Sequence, residues 1–422
     1  MLKVNLHKLA NGLPVLWVPM PGTDTVTVLS LIKAGSRLET IKQQGLSHLL
    51  EHMLFKGTTN YPTARDLTQV LDGLGADYNA FTSKEYTGYY IKTAAAQIDK
   101  ALPVQADMLW HSLLNKDELE REKKVIVEEI NMYRDNPLMF IGDLLEGELF
   151  RGSSLSHLIS GSKETVKSLS RHQLLSYWRE YYQPFNMVTV VAGNLNNKIK
   201  KLVVKNFNQA GLTGHRVAYR RFEPSYTRPR AIVSFKETEQ IQLALGFPAY
   251  GIGHRAIPAA QLLSVILGGN MSSRLFMRLR EREGLCYSVR TDVERYYGTG
   301  VFSVQAGLDK TRLSQAVKLI AEELRLVVSK GVSLTELNKA KEYLKGSVIL
   351  ALENSAHQAE WVARRYLLEG QVLNWSDYWR RLSAVTPAAV QRTAKELLVF
   401  NKATLALIGP YRSANQWLKF LK

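Results

Sequence analysis

The sequence predicts an α+β chain of two homologous domains, and three observations lead there. Its 422 residues exceed what one ordinary hydrophobic core holds and suit two. The chain also repeats itself. SRHQLLSYWREYYQPFNMVTVVAGNL at 170–195 and TPAAVQRTAKELLVFNKATLALIGPY at 386–411 both read as an amphipathic helix, a short break and a β-branched strand ending at glycine. Superposing Phe185-Asn186 on Phe400-Asn401 sets an offset of 215 residues, which also carries VLSLIKAGSR at 28–37 onto IQLALGFPAY near 241–250. Finally, strands are grouped apart from helices within a half, which argues against a doubly wound parallel sheet. The division expected is 1–215, a linker at 216–231 with its prolines and charges, and 232–422.

Taken in order, GLPVLWVPM and TVTVLSLIKAG predict neighbouring strands. A helix over 46–56 and another through ARDLTQVLDGLGA follow, then two strands in DYNAFTSKEYTGYYIKTA. Long helices run through AQIDKALPVQADMLWHSLL, with Pro103 as a place to break, and through KDELEREKKVIVEEINMYRD. Neither a dinucleotide-binding GxGxxG turn nor a phosphate-binding GxxxxGK[ST] loop is present; LGGNMSSRL at 267–275 lacks the lysine.

Composition excludes several classes. With 45% hydrophobic and 22% charged residues the chain is globular in type, and no apolar run approaches a membrane span. Lys3, His7 and Lys8 interrupt the opening residues, which do not read as a signal peptide, so a cytoplasmic location is expected. The single Cys286 rules out an intramolecular disulfide and a cysteine-built metal cage. Net charge is +17, unevenly spread: 24 basic against 21 acidic residues in 1–215, and 31 against 17 in 216–422. Without a zinc finger, an aromatic RNA-binding signature or a dense basic tract, nucleic acid is not expected as a partner. A solvated surface accounts for the charge, as does attraction of acidic peptides to the second half.

SHLLEHMLFKGT at 47–58 carries the chemistry. On a helix, His48 and His52 project from one face a turn apart, spaced to share one Zn²⁺. Glu51 points to the same side, placed to take a proton from a water that the metal holds. This is the inverted H-x-x-E-H order. Leu46, Leu49, Leu50, Met53 and Leu54 make the same helix half buried, and polar side chains buried there without partners would be costly. A third ligand is sought in LEREKKVIVEEINMY at 119–133, where Glu122 and Glu129 lie two turns apart; spacing leaves Glu122, Glu128 and Glu129 open.

These motifs, with NAFTSKEYTGYY at 79–90 and MSSRLFMRLREREGLCYSV at 271–289, resemble the inverzincin metallopeptidases that include pitrilysin, insulin-degrading enzyme and the mitochondrial processing peptidases, in their short bacterial form. The resemblance covers nearly the whole chain. It implies two α+β domains, each a mostly antiparallel sheet of about six strands covered by helices, and a zinc-dependent endopeptidase acting on peptides or unfolded segments. It implies that His48, His52 and Glu129 bind one zinc per chain, that Glu51 is the general base, and that Glu122 supports an imidazole. Asn79, Ala80 and Phe81 match the edge strand that pairs with substrate backbone. An arginine and a tyrosine from the second half are expected to hold the substrate carbonyl; 300–310, where they are sought, offers no clear pair. At the 215 offset the zinc helix falls on 254–269, which lacks the ligands, so the second half holds substrate or dimerises. A homodimer, or a heterodimer with a homologous subunit, is expected. The alternative function is a metal-binding subunit, inactive alone, that serves assembly or presents substrate to a partner.

Overall fold

The computed structural model describes residues 4–208, 214–372 and 375–422. The first half supplies strands β1 (Asn5–Lys8), β2 (Pro14–Pro19), β3 (Thr25–Ile32), β4 (Asp77–Thr82), β5 (Thr87–Ala94) and β6 (Met187–Gly193). Its helices are α1 (Leu46–Met53), α2 (Ala64–Gly73), α3 (Ile98–Trp110), α4 (Lys116–Asp135), α5 (Pro137–Leu149), α6 (Lys163–Ser168), α7 (Arg171–Tyr181) and α8 (Asn197–Phe207). The second half supplies β7 (Arg230–Phe235), β8 (Gln240–Ala249), β9 (Cys286–Tyr296), β10 (Thr299–Asp309) and β11 (Thr404–Gly409). Its helices are α9 (Ile257–Gly268), α10 (Leu313–Lys330), α11 (Leu334–Ala351), α12 (Ser355–Glu369), α13 (Trp375–Ser383) and α14 (Pro387–Leu397). No helix among the described residues is long and apolar enough to cross a membrane.

The two sheets share one topology. The first runs β1-β2-β6-β3-β5-β4 and the second β7-β11-β8-β10-β9. Each has a single parallel pair at the same place, β2 with β6 and β7 with β11, and is otherwise antiparallel. The internal repeat is therefore structural: β3 answers to β8, β5 to β10, β4 to β9 and α1 to α9.

Three local expectations are corrected. β2 and β3 are not neighbours, because β6 lies between them. Both belong to runs that pack on two faces, and β6, buried along its whole length, takes the central place such a strand needs. α1 stops at Met53 rather than 56; Leu54 to Lys56 close in tight turns onto Leu50, His52 and Met53, ahead of Gly57 at φ +123°. Pro103 does not break α3, which runs through it from Ile98.

Two compact units are formed, and each borrows from the other half of the sequence. One comprises the chain up to Ile130, His157–Tyr219 and Val348–Tyr378; the other comprises Asn131–Ser156, Arg220–Ser347 and Trp379–Lys422. In the first unit, Val15, Trp17, Val26 and Val28 face a core shared with α1, α3 and α7, while the alternate residues Leu16, Leu29, Leu31, Val188 and Val190 face α12 through Ala359, Val362 and Ala363. In the second unit, Ile141, Leu145 and Leu149 of α5 cover Ala244, Ala406 and Ile408. Gly246 lets α5 come close, since a Cβ there would lie 2.8 Å from Leu145 Cδ2. No helix or strand occurs between Gly214 and Pro229, although Val217, Tyr219 and Tyr226 are buried.

A candidate metal centre on the first sheet

α1 lies across β4 and buries Leu46, Leu49, Leu50 and Met53, turning His48, Glu51 and His52 the other way. His48 Nε2 and His52 Nε2 are 3.2 Å apart, and Glu129 Oε2 on α4 lies 3.7 Å from the first and 3.6 Å from the second. Zinc bonds of about 2.0–2.1 Å in tetrahedral array set ligand atoms about 3.3–3.4 Å apart. The three atoms match that spacing, and the donor set of two imidazoles and a carboxylate is one zinc accepts. No other group of three such side chains fits a metal ion among the described residues.

The electrostatics favour a cation. Burial, then the neighbouring His52, pushes the His48 imidazole down to about 3, which keeps it neutral, the form that ligates a metal. Its Nδ1 is buried without a hydrogen-bond partner, and its Nε2 is the nitrogen that faces His52 and Glu129. His52 is pulled down by burial, but the carboxylates of Glu122, Glu51 and Glu129 outweigh that and raise it, a local demand for positive charge. Glu122 Oε1 meets His52 Nδ1 at 2.9 Å and its Oε2 accepts from Lys56 Nζ at 2.7 Å. Burial works against the Glu122 charge, yet those two partners hold its carboxyl low. Burial raises Glu129 and Glu51.

The structure thus sorts the three candidate glutamates of α4. Glu129 joins the imidazoles, Glu122 holds the far nitrogen of His52, and Glu128 stands outside the cluster on the exposed side of the helix. Glu51 lies beside them and accepts a hydrogen bond from Thr82 Oγ1, at the end of β4. Asn79, Ala80 and Phe81 lie on β4, the outermost strand of its sheet, whose only ladder is to β5 among the described residues. At the 215 offset, His48, Glu51 and His52 fall on Leu263, Ile266 and Leu267, all buried in α9.

The stretch 300–310 is almost entirely β10, an interior strand, and it holds neither arginine nor tyrosine. In the second unit Arg280 packs its guanidinium 4.8 Å from the Phe276 ring and 5.4 Å from that of Tyr287. Arg280 sits in a π-helical turn at Phe276–Arg282, and Tyr287, at the start of β9, is 76% exposed. Sequence reasoning passed over Thr82 and Lys56, which meet Glu51 and Glu122 across segments that no local spacing brings together.

The chain is similar to known proteins along most of its length. Residues 15–163 match the family described as Insulinase (Peptidase family M16), and residues 168–344 match Peptidase M16 inactive domain. An uncharacterized zinc protease of Bacillus subtilis, YmxG, is 36% identical over 400 residues, 95% of this chain and 97% of that protein. One from Rickettsia felis is 32% identical over 413 residues, 96% and 97% of the two chains. The crystal structure of a protease from Helicobacter pylori superposes with a TM-score of 0.90 at 26% identity, covering 97% of this chain and all of that one (100%).

Proposed function

The chain belongs to peptidase family M16, the insulinase family, and from that premise we propose that it is a zinc-dependent endopeptidase cutting peptides or unfolded segments. The observation that carries the proposal is the His48, His52 and Glu129 triangle with Glu51 beside it, at the end of an edge strand. Zinc held by those three residues would supply Lewis acidity, acidifying water and polarising a carbonyl. Glu51 takes the proton of the attacking water and passes it to the departing amine. The Thr82 hydroxyl orients the Glu51 carboxylate during that exchange. By accepting from His52 Nδ1, Glu122 keeps the Nε2 lone pair free for the metal. Asn79, Ala80 and Phe81 offer the outer edge of β4 to an extended peptide, which suits a broad sequence range.

The test is metal content by plasma mass spectrometry together with cleavage of a quenched peptide mixture, with and without chelator. One zinc per chain and chelator-sensitive cleavage are expected. Glu51→Gln should keep zinc and lose at least about a hundredfold in turnover. The match of the second half to a domain described as inactive supports a second reading, a metal-binding subunit that needs a homologous partner. Zinc without cleavage, restored on forming a dimer, would favour it.

A further inference from the structure

The N-terminus of α1 carries a polar arrangement that the metal triangle does not explain. The helix starts from Gly45 at φ +91°, and a Cβ there would stand 2.7 Å from the Ser160 carbonyl oxygen. Glycine is required, so the position has no side chain with which to cap the helix. Glu39 takes over that task from six and eight residues upstream. Its Oε2 accepts from Gly45 N–H at 2.8 Å and its Oε1 from Ser47 N–H at 2.7 Å.

This is a costly way to cap a helix. Glu39 is 3% exposed, and among the described residues no cation pairs with it; its partners are N–H and O–H groups. Thr63 and Ser170 cap α2 and α7 from the surface with their own hydroxyls. The loop that carries Glu39 is itself pinned. Ser36 and Arg37 donate their N–H groups to the carbonyls of Ser83 and Lys84 at 3.4 and 2.8 Å, and Arg37 pairs with Glu85. Gly35 approaches so closely that a Cβ would lie 2.3 Å from Ser83 O. Ser83 to Glu85 follow directly on Thr82, the residue that bonds Glu51. On the other flank, the Ser47 hydroxyl meets the Tyr177 hydroxyl at 2.8 Å, and the latter donates to Gly35 O at 3.3 Å.

We propose that Glu39 is a positioning residue for the metal centre: its carboxyl group ties the first turn of α1 to the loop anchored on the β4–β5 turn, fixing His48 and Glu51 against Glu129 and Thr82. His48 follows the second of its two bonds directly, so a slip or rotation of that turn moves a ligand atom. The inference rests on reading the triangle as a zinc site.

The test is zinc affinity of the full-length protein by competition with a chromogenic chelator, for the parent, Glu39→Gln, Glu39→Ala and Thr63→Ala. Circular dichroism records that each is folded. Glu39→Ala should bind zinc about ten- to a hundredfold more weakly. Glu39→Gln, which keeps one acceptor oxygen, should lose less, and Thr63→Ala, which uncaps a different helix, should match the parent. Where cleavage is measurable, kcat should fall further than KM rises in the Glu39 variants. Parent-like affinity in a folded Glu39→Ala overturns the proposal, as does an equal loss in Thr63→Ala. If Glu39→Ala does not fold, Glu39→Gln decides, and unchanged affinity in that variant overturns the proposal too. A parent that takes up no zinc would instead sink the reading of the triangle.

Discussion

Glu122 and Glu129 stand two turns apart on α4 and meet different atoms of the imidazoles, Nδ1 of His52 in one case and the two Nε2 atoms in the other. Their removal should therefore differ in degree. Glu129→Gln should weaken zinc binding more than Glu122→Gln, and Glu128→Gln should do nothing measurable; the reverse order by isothermal titration would reassign the ligand. Glu39 makes a different prediction. Burial raises its carboxyl to about 7 in the folded chain, against an ordinary 4.5. Between those values the folded state holds a proton that the unfolded state has lost, so stability falls as pH rises from about 4.5 through about 7. In urea denaturation at pH 5 and pH 8, the parent should lose more stability across that interval than Glu39→Gln. Equal losses would refute it. His48, Glu51 and His52 were legible in the sequence because a helix brings residues three and four apart onto one face. Glu39 was not, since nothing in its neighbourhood says that a loop returns its carboxyl to a helix end.

At the scale of elements, strands and helices were readable from periodicity, and partners were not. MVTVVAG at 187–193 declares a doubly buried strand but not that it enters between β2 and β3. PLMFIGDLLEGEL, which forms α5, drew no reading from the sequence, and nothing in it names the sheet that it covers. Leu145 is the contact that settles it, packed against Gly246 in the core with Ala244 and Ala406. Leu145→Ala should destabilise the chain by about 2–5 kcal/mol, because closely packed surroundings relax little into the space. A shift of the urea midpoint worth less than about 1 kcal/mol would mean that α5 is not held by that contact.

For the molecule as a whole, α5 and α12 occupy corresponding places in the two repeats, and each covers the sheet of the other. Residues 1–215 expressed alone would keep a sheet whose Leu16, Leu29 and Leu31 face lacks α12, together with an α5 that has nothing to cover. Residues 216–422 alone would have the converse defect. Each fragment should be insoluble or bind a hydrophobic dye strongly, and the two co-expressed should recover a compact complex. A cooperative thermal transition in either fragment alone would contradict this. The same reciprocity bears on descent. A single-copy ancestor would have carried a bare sheet face and an unhoused helix, and a second identical molecule would have satisfied both at once. Pairing between separate molecules would then have come before any joining of two copies into one chain.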